Sequence, residues 1–266
     1  MTKYIFMAVA GMLALSSCSN DDNDVQNTQN APRQMTFSAG YGDEAQTRAA
    51  LDGSTKKVSF EVGDRISILS ANNTNTRFTT TEDGASVTFT GTATADSKFY
   101  AVYPYTDGLT LDTSTGIISG VEIPVGQPGA GTSPCGWHPD APIAYATTTG
   151  TSLQFHNACA LLKINNDGGD AMSIEVGCQE ALTGTFSLDT ESGALSGSDD
   201  TYRFAMVWNV PSGKTIYIAI APGEKNDLEV HWMGMDNGDG RKWKHSAVTF
   251  EAGKIYDLGN TSEWDD

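Results

Sequence analysis

Positive charge is scarce in this chain. Its 266 residues carry 16 Lys and Arg against 33 Asp and Glu, a formal net charge of −17. A chain so acidic repels phosphate backbones, which argues against nucleic acid as a partner. Charged residues of both signs make up only 18%, while Gly, Ser and Thr are abundant. That mixture suits short strands joined by tight turns and leaves little with which to build amphipathic helices. Long apolar runs are missing too. The longest, Tyr4–Leu15, has twelve residues, too few to cross a bilayer as a helix. Cysteine is scarce, with four in all, so no disulfide framework is implied. No Ser/His/Asp set, paired carboxylates or metal-ligand spacing stands out, and the chain is therefore read as no enzyme, with no cofactor.

What is present begins with a signal. Lys3 precedes the apolar run, and Leu15-Ser16-Ser17-Cys18 follows it. A short positively charged start, an apolar core and small residues describe an export signal over residues 1–17. The tetrapeptide resembles the bacterial lipobox, whose cysteine is lipidated and becomes the mature N-terminus. Cys18 is thus the expected lipidation site, an anchor that needs no transmembrane helix. Residues 18–33 are rich in Asn, Asp and Gln with almost no apolar side chains, and read as a disordered acidic tether. Its Ser19-Asn20-Asp21-Asp22 start resembles the acidic tag of lipoproteins exposed on the outer membrane.

Beyond the tether, short alternating stretches recur. Met35–Ala39, Val58–Ile68 around a Gly63-Asp64 turn, Arg77–Thr80, Ser86–Thr90, Phe99–Tyr103, a hairpin in Leu109–Ile118 and Ile143–Ala146 are expected strands. Ile123–Pro142 is a long irregular segment rich in proline and glycine, and Thr147–Thr151 a plausible junction between two domains, 34–149 and 150–266. The second half offers Met172–Val176, Thr183–Leu188, Tyr202–Val207, Thr215–Ala221, Leu228–Met235, Arg241–Phe250 and Ile255–Leu258. The second half opens on Leu153–Ile164. It alternates at first, then turns apolar on both faces from Ala158, the pattern of one strand that enters half-exposed and ends covered, with Met172–Val176 as its hairpin partner. Many short strands without an amphipathic helix predict an all-β chain of sandwich architecture.

Several constellations carry no chemistry. Cys135, His138 and Asp140 crowd a Pro/Gly-rich loop with no element to hold them in place. Cys159 falls in a buried strand; a bridge to Cys178 is conceivable but not favoured. Asp236-Asn237-Gly238-Asp239 lacks the first and last ligands of a calcium loop and reads as a hairpin turn. With Asn237-Gly238 as a two-residue turn, Trp232 would lie opposite Trp243, Val230 opposite His245 and Leu228 opposite Ala247. Strand tryptophans usually pack in cores or across strands, which leaves Trp137 as the free aromatic for a sugar ligand.

Six short motifs stand in order. Phe60-Glu61-Val62-Gly63-Asp64-Arg65-Ile66, Tyr100-Ala101-Val102-Tyr103-Pro104, Ile123-Pro124-Val125-Gly126-Gln127, Asp140–Ala146, Leu153–Ile164 and Ala252-Gly253-Lys254-Ile255-Tyr256 together resemble the fimbrillin-like family of Bacteroides-type bacteria. The resemblance covers about Met35–Leu258. It implies two tandem transthyretin-like, Greek-key β-sandwich domains in a surface lipoprotein of a type V pilus, as stalk, anchor or tip subunit. It implies other fimbrial subunits as partners, the outer membrane as location, and a host or bacterial surface ligand. It also implies maturation by an Arg-directed protease in the loop after the first strand, where Arg48 fits, followed by addition of a neighbour's strand to the vacated groove. The polar Gly259–Asp266 offers no spare alternating strand, which favours a tip, anchor or accessory role over a stalk. A free-standing glycan-binding surface lipoprotein is the alternative.

Overall fold

The computed structural model describes residues 31–41, 50–51, 58–128, 140–235 and 240–265. Among them nearly everything regular is strand, so the all-β expectation holds. The central stretch behaves unexpectedly. It is two strands, β11 (Ser152–Asn157) and β12 (Ala160–Asn166), in two different sheets. The break falls where Ile143 grips the chain: its carbonyl accepts the Ala158 N–H at 2.8 Å and its own N–H donates to the Cys159 Sγ at 3.4 Å.

Upstream of the break, seven strands close into a barrel where a sandwich was expected. Its members are β1 (Arg33–Tyr41), β4 (Arg65–Ser70), β5 (Asn73–Thr80), β6 (Ser86–Ala93), β7 (Phe99–Tyr103), β10 (Ala144–Thr148) and β11. They run in the order β1-β11-β10-β7-β4-β5-β6, and β6 returns to β1. The inward positions form an aromatic core of Phe37, Phe60, Phe78, Phe89, Phe99 and Phe155. Gly91 on β6 is needed there, because a Cβ would meet the Phe78 ring at 2.7 Å. A two-stranded ribbon, β2 (Ala50–Leu51) with β3 (Val58–Ser59), stands apart from the barrel.

Downstream, β12 lies between β17 (Lys214–Ile220) and β20 (Ile255–Asn260). A four-stranded sheet packs against it in the order β16 (Phe204–Val210), β13 (Ala171–Gly177), β18 (Gly223–Gly234), β19 (Gly240–Phe250). The expected pairing of β13 with the central stretch does not occur; β13 pairs with β16 and β18. Ile164, Ile174, Val176, Ile216, Val230 and Trp232 fill the core between the two sheets.

A third sheet joins the halves: β15 (Leu195–Tyr202), β14 (Thr183–Asp189), β9 (Ile117–Ile123) and β8 (Thr110–Asp112). Its core takes the outward side chains of β7, Tyr100 and Val102, together with Ile118, Leu161, Phe186 and Leu188. This explains why all five residues of β7 are buried: Phe99, Ala101 and Tyr103 face into the barrel while Tyr100 and Val102 face this sheet. Gln127 closes the arrangement. Fully buried, it donates to the Ala219 carbonyl at 2.8 Å and accepts the Ala219 N–H at 2.9 Å, so its amide continues the edge of β17.

The long hairpin β18–β19 has a different register from the expected one. Val230 lies opposite Trp243, Trp232 opposite Arg241 and Leu228 opposite His245, two residues away from the two-residue-turn pairing. Trp232 and Trp243 share a face, as expected, but do not form a cross-strand pair. Arg241 instead lies over the Trp232 ring, 4.8 Å from its centroid. Two main-chain bonds between Lys242 and Asp265 hold β19 further. The Asn237-Gly238 dipeptide itself lies outside the described residues.

Candidate functional site

The first strand of the barrel is held from both sides. Along β1 the side chains of Met35, Phe37, Ala39 and Tyr41 turn inward, while Thr36 and Ser38 face solvent. Phe37 is fully buried and meets Phe78 and Phe99 edge-on, with ring centroids 5.4 and 5.1 Å apart. Tyr41 stacks on Phe60 at 5.0 Å and leans on Phe155 at 5.9 Å. Eight residues, Arg33 to Gly40, pair antiparallel with β6. On the other side only Ser38–Tyr41 pair with β11, in parallel, and the Ser38 N–H and hydroxyl both donate to the Thr151 carbonyl.

Two edges and a set of pockets therefore hold β1. Taking it away would expose the ladder-facing groups of β6 and β11 and uncover the rings of Phe78, Phe99, Phe60 and Phe155. The vacated groove would suit an extended segment with apolar side chains at alternate positions, since main-chain bonds supply affinity and pockets two residues apart fix register.

Of the residues singled out from sequence, Cys18 and Arg48 lie outside the described residues, as do Cys135, Trp137 and His138. Asp140 is exposed at the start of the segment leading to β10. Cys159 and Cys178 are both free thiols. Burial pushes the Cys159 thiol up to about 12, only partly opposed by the Ile143 N–H. Burial also raises Cys178, which is half-buried. Thiolate is the reactive form. Iodoacetamide at neutral pH is thus expected to leave Cys159 unlabelled in the folded protein and to label it on unfolding, read by peptide mass spectrometry; native labelling would show that the strand break opens.

Among the described residues no group of three His, Cys, Asp or Glu side chains could hold a metal ion. No helix among them is long and apolar enough to cross a membrane. One surface feature departs from the sequence reading, which placed the strand tryptophans in cores or across strands. Phe204 and Trp208 on β16, with Tyr202 just before it, are exposed aromatics, whereas Trp232 is buried.

No protein-family model matches the sequence, and no curated protein matches it. Solved structures do share the fold. A candidate cell-adhesion protein from Bacteroides uniformis superposes with a TM-score of 0.53 at 17% identity, over 87% of this chain and 95% of that one. A second, from Bacteroides ovatus, gives a TM-score of 0.50 at 14% identity, over 86% and 92% of the two chains. At these identities the likeness is one of fold.

Proposed function

We propose that this chain is a non-catalytic subunit or accessory adhesin of a fimbrium on the bacterial outer surface, assembled by strand addition between subunits. The observation that carries the reading is β1: an N-terminal strand held by two ladders and aromatic pockets, followed by a segment containing Arg48. Cleavage after Arg48 would disconnect β1 together with everything before it, the Cys18 anchor included, and the same groove would take a strand from a neighbour. The fold shared with candidate cell-adhesion proteins supports this reading. We further read the chain as two transthyretin-like units, 34–149 and 150–266, the second of which lends β11 to the barrel of the first. The separate aromatic core of the barrel and the aliphatic core around Trp232 support that division.

The experiment is expression in a fimbriate host lacking its own copy of the gene. Native protein should appear as a ladder of multimers resistant to sodium dodecyl sulfate, and mass spectrometry should find the mature chain starting at Ala49. Arg48→Ala should abolish the ladder and leave monomer that keeps β1. Cys18→Ala should incorporate no labelled fatty acid. Multimers built from chains that still start at Cys18 would sink the assembly reading.

A further inference from the structure

We infer that the outer face of β16 and β13 is a binding site for a neutral saccharide chain. The inference is independent of the assembly reading, because this face belongs to the second half of the molecule and is remote from β1 in the sheet order.

Four of the six exposed large hydrophobic residues among those described gather here: Met172, Tyr202, Phe204 and Trp208. The cause is local. Ala205 and Val207 point into the core, so alternation sends Phe204, Met206 and Trp208 to solvent. Phe204 and Trp208 are four residues apart on a regular strand, a separation of about 13 Å. Trp208 is fixed in place, since its ring rests on Gly126, where a Cβ would lie 2.6 Å from the ring. Tyr202 meets Phe204 edge-on at 6.0 Å. An aromatic strip of this kind is an unexplained apolar surface on an otherwise polar sheet face.

Beside it the sheet presents hydrogen-bonding groups around a cavity of about 410 Å³, lined by Phe204, Glu175, Gln179, Asp227, Glu229 and His231 among others. Several of these are steadied through one atom and leave another without a partner. Ser173 donates to Glu175 Oε1, Gln179 donates to Asp227 Oδ2, and His231 Nε2 bonds Glu229. Glu175 Oε2, Asp227 Oδ1, Gln179 Oε1 and His231 Nδ1 are left for a ligand. Acceptors held in fixed directions next to a flat apolar ring match a sugar, which offers hydroxyl donors along its rim and C–H groups on its face.

Charge chooses between ligands. Glu229 is paired with Lys244 and His231, but Glu175 and Asp227 carry no ion pair among the described residues and disfavour uronic and sialic acids, which leaves neutral sugars. A protein partner fits less well, because interface cores are depleted of Asp and Glu. Strand addition is also opposed at the middle of this edge. The Met206 N–H donates to Val125 and its carbonyl accepts from Gln127, both at 2.8 Å, so its main chain is already engaged.

The test uses the full mature chain with mannohexaose, cellohexaose and galactohexaose as neutral probes and trigalacturonate as the anionic one, read by saturation-transfer NMR and calorimetry. At least one neutral probe should bind, and trigalacturonate should not. Phe204→Ala and Trp208→Ala should each weaken binding by about tenfold, Phe204→Ala with an unchanged melting temperature. Asp227→Ala should weaken it without affecting the ladder of multimers. The inference fails if none of the three neutral probes binds, if binding survives Phe204→Ala and Trp208→Ala together, or if trigalacturonate competes. It also fails if these variants instead abolish the multimer ladder, which would make the strip an assembly contact.

Discussion

Phe37→Ala is expected to destabilise the barrel by about 3–5 kcal/mol, the range for deleting a fully enclosed aromatic ring. Phe37 has no exposed surface and touches Phe78 and Phe99 from the one strand proposed to leave. Its loss opens a cavity between strands that cannot collapse, because the barrel is closed and its ladders fix the spacing. Thr36→Ala, on the solvent side of the same strand, should change stability by no more than about 0.5 kcal/mol. Chemical denaturation of the two variants, followed by hydrogen exchange of the β6 amides, gives the comparison. If Phe37→Ala costs under about 1 kcal/mol, β1 is not anchored by that pocket. The same variant bears on the proposed assembly: if the chain is cleaved at Arg48 as proposed, a β1 that has lost its anchor should be displaced faster by a competing strand.

Much of this architecture was legible because it is written in local alternation. Met35–Ala39, Phe99–Tyr103 and Thr183–Leu188 appear as strands within a residue or two of their expected bounds. The expected Gly63-Asp64 turn is also present, with Gly63 at positive φ. What escaped was set by distant partners. Ala158 and Cys159 continue the apolar pattern without interruption, and only the grip of Ile143 shows that the strand ends between β11 and β12. The β18–β19 register is set by Arg241 over Trp232 and by Asp265 on Lys242, neither of which an Asn-Gly dipeptide reveals. Strand β15, Leu195–Tyr202, is almost wholly exposed and polar, so it has no apolar alternation to announce it. It is a charged edge strand held by its pairing with β14.

The candidate sites divide the same way. That β1 is a strand was readable from its alternation, whereas the groove proposed for it and the cleavage at Arg48 rest on the family resemblance. The aromatic strip was not, although its signal was present: Phe204-Ala205-Met206-Val207-Trp208 is apolar on both faces, and an edge strand can cover only one of them. Reading its tryptophan as a core residue overlooked that Ala205 and Val207 already supply the inward face.

Asn166 carries the second large expectation. In sequence it is one of a run of turn residues, but in the fold it is 1% exposed and ties five segments together. Its Oδ1 accepts from the Trp232 indole at 2.8 Å and the Thr261 hydroxyl at 3.2 Å. Its Nδ2 donates to the carbonyls of Val210 at 2.9 Å and of Gly169 and Pro211 at 3.0 Å. Asn166→Ala leaves a buried indole N–H and several carbonyls without this partner, and each such group costs about 1–3 kcal/mol, so a loss of about 3 kcal/mol or more is expected. Asn166→Asp is the sharper test. The introduced carboxylate keeps the acceptor for Trp232 and Thr261, yet at neutral pH it sets a buried negative charge against three carbonyl oxygens. Its protonated form is therefore favoured in the folded state, which raises its pKa above the unfolded value of about 3.9. Stability contributed by a group with a raised folded pKa is lost as pH rises, so the variant should fall furthest below wild type at pH 7 and approach it below about pH 4. Thermal melts of both proteins from pH 3 to 8 decide the matter. A constant difference across that range would mean that the introduced carboxylate escapes to solvent and that Asn166 is not the junction of the second core.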